Sequence, residues 1–323
     1  MNLDFLGTRV RLTAEPGPPL DELARDFSAF GDGGCGEPAV SVRLCGEPCP
    51  PPPGPWLWGW RGFKTRPDGG ARLVRWDDGS WARCDYGRGE VVVHARDPER
   101  LRELGYLAAL SRAGEALDRR GLHRVHALAV ASPAGAALVL LPSGGGKSTL
   151  ALELLRRGTL RVLSDESPLV DREGRVHPFP LRLALREGAD LAGLAPGDLR
   201  PFRRRGYGAK TLVEPAALRA ESGPSAPVRW LLAGERSDGP PALAPLSRAR
   251  ALAALAGPLV LGAGLAQMAE YMARADASLA LVAASRARAA LALAAAASAA
   301  RLRLGSRGPA ATAERLERLL GVA

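Results

Sequence analysis

Between Pro98 and Arg119, apolar residues at Leu101, Leu104, Leu107, Ala108 and Leu110 recur three and four positions apart, which predicts one face of a long helix closed by Gly121. Before it the pattern is of another kind. Leu20 to Phe30 reads as a short amphipathic helix, and the run Pro50-Pro51-Pro52-Pro53-Gly54-Pro55 excludes any helix or central strand there. Short aromatic segments follow at residues 56–60, 72–76, 81–86 and 90–94. They are separated by Asp68-Gly69-Gly70 and Asp77-Asp78-Gly79-Ser80, which have the chemistry of hairpin turns. After Leu122 two apolar runs, His126 to Ala131 and Ala136 to Leu141, flank the turn residues 132–135. A glycine loop then leads into a helix from Lys147 to about Arg157, and the apolar segment 160–164 reads as a further strand. From about Leu246 the chain is mainly helical, with a last strand at Arg301 to Leu304.

These changes of pattern predict two domains, a β-rich α+β unit over residues 1–120 and an α/β unit over 121–323. The length of 323 residues accommodates both. With 46% hydrophobic and 24% charged residues the chain carries enough apolar material for a packed core, which excludes wholesale disorder. The formal net charge is +10, yet only Lys64, Lys147 and Lys210 are lysines, so each is weighed as a site candidate. Scattered arginines and no readable recognition module argue against a nucleic-acid binder. Cys35, Cys45, Cys49 and Cys84 match neither a paired zinc site nor a dense disulfide framework. Met1 to Phe5 lacks the features of a secretory leader. Arginines 286, 288, 301 and 303 interrupt the alanine-rich tail, which is not expected to span a membrane. The expected location is cytoplasmic.

The chemistry concentrates in Leu141-Pro142-Ser143-Gly144-Gly145-Gly146-Lys147-Ser148-Thr149. A polyphosphate needs closely approaching backbone N–H groups, a cation between its β- and γ-phosphates and a hydroxyl for its metal. The glycines, Lys147 and Ser148 supply these, and the helix that follows adds its N-terminal dipole. Ser143, Gly144, Gly145, Gly146, Lys147, Ser148 and Thr149 are thus the candidate nucleotide-binding residues. Leu141 stands where the GxxxxGK[ST] pattern has its first glycine. If residues 132–135 close a symmetric hairpin, 131 pairs with 136, 130 with 137, and so on until His126 faces Leu141. Asp165 ends the next strand, eighteen residues after Lys147, where ligands of open α/β sheets collect. Glu166 follows it, and on an extended chain only one of the two acids faces the phosphates. Arg182, and Lys210 in the basic stretch 203–210, are candidate phosphate or substrate cations.

His126, the 143–148 loop and the Asp165-Glu166 pair resemble, in order and spacing, the HPr serine kinase/phosphorylase family. They look closest to its divergent HPr-kinase-like branch found beside peptide-modifying gene clusters. Residues 176–182 add to the likeness, which covers roughly residues 122–185. The resemblance implies a P-loop kinase domain of HPr-kinase type, a mixed sheet with flanking helices. It also implies ATP and Mg as cofactors, with Asp165 as the base, His126 as its partner and Ser148 as the Mg²⁺ ligand. Glu166 stands where the family commonly has a second Asp, which makes it a further metal candidate. No glycine-rich signature segment follows the acids, which argues against phosphorylase activity and against HPr as the acceptor. The N-terminal part does not resemble the family's regulatory domain.

The expected activity is therefore transfer of the γ-phosphoryl group of ATP to a hydroxyl, a Ser of a peptide or protein acceptor such as a modified-peptide precursor. The tryptophan-rich N-terminal unit is a candidate acceptor-docking module. A small-molecule hydroxyl kinase with the same site and a nucleotide-switched ATPase are the alternatives. Assembly is open between a monomer and a homo-oligomer.

Overall fold

The structure is a computed structural model. It describes residues 1–323 except 15–17, 32, 33, 35, 48, 61, 205–207, 216–222, 269, 271–273, 275, 306, 307 and 323. The chain divides into two compact units, one of residues 1–117 and 266–275 and the other of residues 118–265 and 276–323.

The first unit is built on an eight-stranded sheet of β1 (Asn2–Phe5), β2 (Thr8–Ala14), β3 (Val40–Cys45), β4 (Trp58–Trp60), β5 (Phe63–Asp68), β6 (Ala71–Trp76), β7 (Trp81–Asp85) and β8 (Glu90–His94), in the order β1-β2-β3-β8-β7-β6-β5-β4. The hairpin turns read from the sequence are present: β5 to β8 form an antiparallel meander. Strands β1, β2, β3 and β5 were not read from the sequence. In β2 the cue is a clean alternation, with Thr8, Val10 and Leu12 buried and Arg9 and Arg11 exposed. The helix Pro98–Arg119 buries Leu101, Leu104, Leu110, Ala113 and Leu117. A Cβ on its Gly105 would lie 2.9 Å from a Leu44 methyl, so a glycine there allows the close approach to the sheet. Residues 266–275 belong with this unit through half-buried Glu270, which accepts hydrogen bonds from Tyr86, from Ser111 Oγ at 2.9 Å and from Arg112 at 3.0 Å. Arg112 and the two hydroxyls hold the Glu270 carboxyl below the usual range despite its burial.

The second unit is α/β. Its mixed sheet contains β9 (His123–Arg124), β10 (Leu128–Ser132), β11 (Gly135–Leu140), β12 (Arg161–Ser164), β13 (Leu169–Val170) and β14 (Arg175–His177). A separate three-stranded sheet of β15 (Leu183–Arg186), β16 (Leu199–Arg204) and β17 (Gly208–Val213) interrupts it, and β18 (Ala226–Arg236), β19 (Ala242–Pro245) and β20 (Ser298–Leu304) complete it. The main order is β12-β10-β11-β18-β14-β13-β9, with β20 beside β18 and β19 beside β20. Successive residues of β10 and β11 serve two cores, one on each face. Leu128, Val130, Ala137 and Val139 pack with the helices Lys147–Arg157 and Pro309–Leu319. Ala129, Ala131, Ala136 and Leu138 pack with the helices Arg248–Leu255 and Ala277–Ala296. Both faces are covered, which is why these strands read as unbroken apolar runs.

The hairpin register agrees with the sequence reading where strands exist: Leu128 pairs with Val139, Val130 with Ala137 and Ala131 with Ala136. The ladder begins at Leu128, however. His126 lies before it, and its amide donates to the Pro258 carbonyl at 3.1 Å. Three of the arginines that interrupt the alanine-rich tail lie on a paired strand or in the core. Arg301 and Arg303 lie on β20, which is paired on both sides, by β18 and by β19. Arg286 is 1% exposed and donates to Asp118 through Nε (3.0 Å) and Nη2 (2.9 Å) and to the Leu259 carbonyl (2.6 Å). Asp118 also meets His123 Nδ1 at 2.8 Å, and His123 Nε2 meets Ser285 Oγ at 3.0 Å. The helix Ala277–Ala296 is, by length and composition, apolar enough to cross a membrane, despite Arg286 and Arg288. Within this unit it packs against the β18 sheet face and anchors that buried ionic network.

Candidate phosphate-binding site

Strand β12 is antiparallel to β10, β10 is antiparallel to β11, and β18 is parallel to β11 and to β20. Four strands therefore end at one edge, at Leu140, Ser164, Arg236 and Leu304. The glycine loop leaves β11 at that edge and enters the helix Lys147–Arg157. Gly144 (φ +76°) and Gly146 (φ +101°) are left-handed, and a Cβ on Gly145 would meet the Pro142 oxygen at 2.9 Å. Ser143, Gly144 and Thr149 are exposed, whereas Lys147 is buried. Its ammonium donates to the Leu141 carbonyl at 2.7 Å and makes a longer contact of 3.5 Å to that of Pro142. Burial lowers its pKa to about 8 against the opposing charges of Glu166 and Asp165. Leu141, at the missing first glycine, is 3% exposed. A Cβ on Gly234 of β18 would lie 2.5 Å from a Leu141 methyl, so the leucine fills the space left by that glycine.

Asp165 follows β12 directly and is 8% exposed. Ser148 Oγ donates to its Oδ2 at 3.0 Å. Burial first, and then the neighbouring Glu166 charge, push the Asp165 carboxyl up to about 7, while Ser148 and Lys147 oppose the shift. Of the two adjacent acids Asp165 is the one bonded to the loop serine. Glu166 is half-buried and acts through its charge on Lys147 and Asp165.

His126 is 8% exposed and feels the charge of the same lysine. Burial and the Lys147 charge hold the imidazole down to about 4, against a backbone hydrogen bond at Ala263, so the ring is neutral at pH 7. The adjacent Gly264 has φ +95°, and a Cβ there would lie 2.0 Å from His126 Nδ1. The ring's neighbours are thus Ala263, Gly264 and the Lys147 charge, while Asp165 is engaged by Ser148.

The three-stranded sheet carries the remaining candidates. Arg182 is buried, with its guanidinium 4.9 Å from the Phe202 ring centre. Lys210 on β17 is in register with Phe202 on one side and Arg186 on the other, so the three share a face. Residues 205–207 of the basic stretch lie outside the described residues. Sequence reasoning missed Arg186 and Arg236, because nothing in their local pattern separates them from other surface arginines. A guanidinium nitrogen of Arg186 lies 2.5 Å from the place a Cβ on Gly144 would take, and one of Arg236 lies 4.0 Å from that of Gly146.

The glycine-loop backbone, Lys147 and Ser148 are the donor types a triphosphate with Mg²⁺ would need. Among the described residues no group of three or more His, Cys, Asp or Glu side chains is placed to cage a metal. Mg²⁺ needs no cage, since it takes one or two protein oxygens and completes its shell with phosphates and water. Ser148 Oγ and Asp165 Oδ2 are such a pair of oxygens, with Glu166 adjacent in the chain. No protein-family model matches this chain, and no curated protein matches it significantly.

Proposed function

We propose that the protein is an ATP- and Mg-dependent phosphotransferase of HPr-kinase-like type, which moves the γ-phosphoryl group to a hydroxyl, a Ser of a peptide or protein acceptor. The observation that carries this reading is the meeting of Ser148 and Asp165, 3.0 Å apart, beside a buried lysine at the mouth of a glycine loop. A hydrolytic switch needs only an ordered water. A buried carboxyl raised to about 7 is suited to take a proton from an alcohol near neutral pH.

The loop amides and Lys147 bind the β- and γ-phosphates. Ser148 and an acid of the 165–166 pair would hold Mg²⁺, which would supply positive charge against that of the phosphates. Asp165 accepts the acceptor's hydroxyl proton. The alcohol oxygen forms a bond to the γ-phosphorus as the bond to the β,γ-bridging oxygen breaks, and ADP leaves with that electron pair. His126, neutral and seated against Gly264, adds no second positive charge to that of Lys147.

The decisive experiment incubates the chain with γ-labelled ATP, Mg²⁺ and a peptide library containing Ser. Label on peptide supports the reading. Label released only as inorganic phosphate would replace it with the ATPase reading, and absence of ATP binding would remove both.

A further inference from the structure

The phosphate loop is flanked by two arginines that its motif does not call for. Arg186 ends β15, and its guanidinium occupies the space beside Gly144 that any side chain on that residue would fill, with one nitrogen 2.5 Å from the Cβ position. Gly144 is the fourth residue of the 141–148 loop and is exposed, and the guanidinium lies directly beside it. Arg186 is itself exposed, and no carboxylate or carbonyl among the described residues engages its guanidinium. Most other cations of this unit are committed: Arg157 to Glu317, Arg175 to Ser225, Arg200 to Glu214 and Arg286 to Asp118. A planar cation left unpaired beside a phosphate loop, on a strand that also aligns it with Lys210, is arranged for an anion.

We infer that Arg186 is a catalytic residue of the phosphoryl transfer, an arginine supplied by the same chain that contacts the γ-phosphoryl group across Gly144 and stabilises the charge spread over its oxygens in the transition state. The inference rests on the kinase reading and adds to it a group outside the loop, metal and acid. It gives Gly144 a second role, because a side chain at residue 144 would displace the guanidinium from its present place. As the acceptor oxygen closes on the γ-phosphorus and ADP departs, the three equatorial oxygens carry the shared charge, and a two-pronged donor is matched to two of them. Arg236 lies farther from the loop and serves as the internal comparison: it is also exposed and ends β18 at the same sheet edge.

The test compares Arg186→Ala, Arg186→Lys and Arg236→Ala with the unaltered protein. The readouts are affinity for ADP, affinity for ADP with aluminium fluoride as a mimic of the transferring group, and rate of label transfer. The expected result is unchanged ADP affinity in all three variants. The arginine-to-alanine change at 186 should lose the extra affinity for the fluoride complex and about a hundredfold or more in rate, and lysine should restore little of either. Arg236→Ala should stay within a few-fold of the unaltered protein. Equal fluoride-complex affinity and rate in Arg186→Ala would overturn the inference while leaving the kinase reading intact. So would equal losses in the 186 and 236 alanine variants, which would mark a general field of positive charge. Failure of the unaltered protein to bind ADP or ATP would instead remove the kinase reading and the inference with it.

Discussion

Ser148 Oγ and Asp165 Oδ2 lie 3.0 Å apart although they belong to different elements, the first turn of a helix and the end of a strand. The strand order brings them together, since β11 and β12 flank β10 and run in the same direction. A hydroxyl that can ligate a metal is thereby set beside an acid that can take a proton.

Removing the acid's charge separates binding from chemistry. Asp165→Asn should keep ATP affinity within a few-fold and lower transfer by about a hundredfold or more. The unaltered protein's rate should rise with pH through about 7, where the Asp165 carboxyl ionises, and the variant should lose that rise. The sign for stability is opposite. A carboxyl whose folded pKa is raised favours the fold while protonated, so stability declines as pH rises from 3.8 towards 7. Full activity in Asp165→Asn, measured alongside calorimetric ATP binding, would remove the base assignment.

Lys147→Ala should abolish ATP binding, measured by titration calorimetry. The ammonium holds the Leu141 carbonyl at 2.7 Å, so melting of the variant must be recorded too. A folded variant that still binds ATP within threefold of the unaltered protein would show that the loop does not use its lysine.

Gly264→Ala tests the seat of the histidine without touching it. A methyl there would lie 2.0 Å from His126 Nδ1 on a residue with φ +95°, so both strain and displacement follow. A loss of about 1–3 kcal/mol in stability is expected. If His126 matters for turnover, transfer should fall more than ATP affinity, as in His126→Ala. A variant that only loses stability would leave the histidine a packing role.

Arg286→Met should be costly, because it leaves the Asp118 carboxylate buried with a strong donor pair removed. About 3–5 kcal/mol is expected in chemical denaturation. A loss below 1 kcal/mol would show that His123 and other partners satisfy Asp118 alone.

Much of the candidate loop's shape was legible in the chain because it is built from neighbouring residues. Three glycines, a lysine and a serine lie on adjacent backbone, so their order in the sequence is their order in space. The hairpin register followed from turn residues 132–135 for the same reason. What was not legible depends on distant contacts. Whether the ring of His126 meets Asp165 or Gly264 is decided by a turn more than a hundred residues away. Arg186 reads as one of many surface arginines until β15 carries it over Gly144. The buried pairing of Arg286 with Asp118 was hidden because arginine in an alanine-rich helix has the pattern of a solvated face. In the first unit β2 and β3 were missed because short alternating strands without flanking aromatics give a weak signal, and their pairing is with each other across a helix.

The space shared by Leu141 and Gly234 has a practical consequence. Where a glycine loop departs from the usual phosphate-loop lettering, the residue that makes room for the change can sit on the adjacent strand, ninety-odd residues downstream. Swapping the pair, with glycine at 141 and alanine at 234, should therefore restore what either exchange alone disturbs. Phosphate-loop signatures are then better sought as conserved volume between two strands than as an unbroken string of residues.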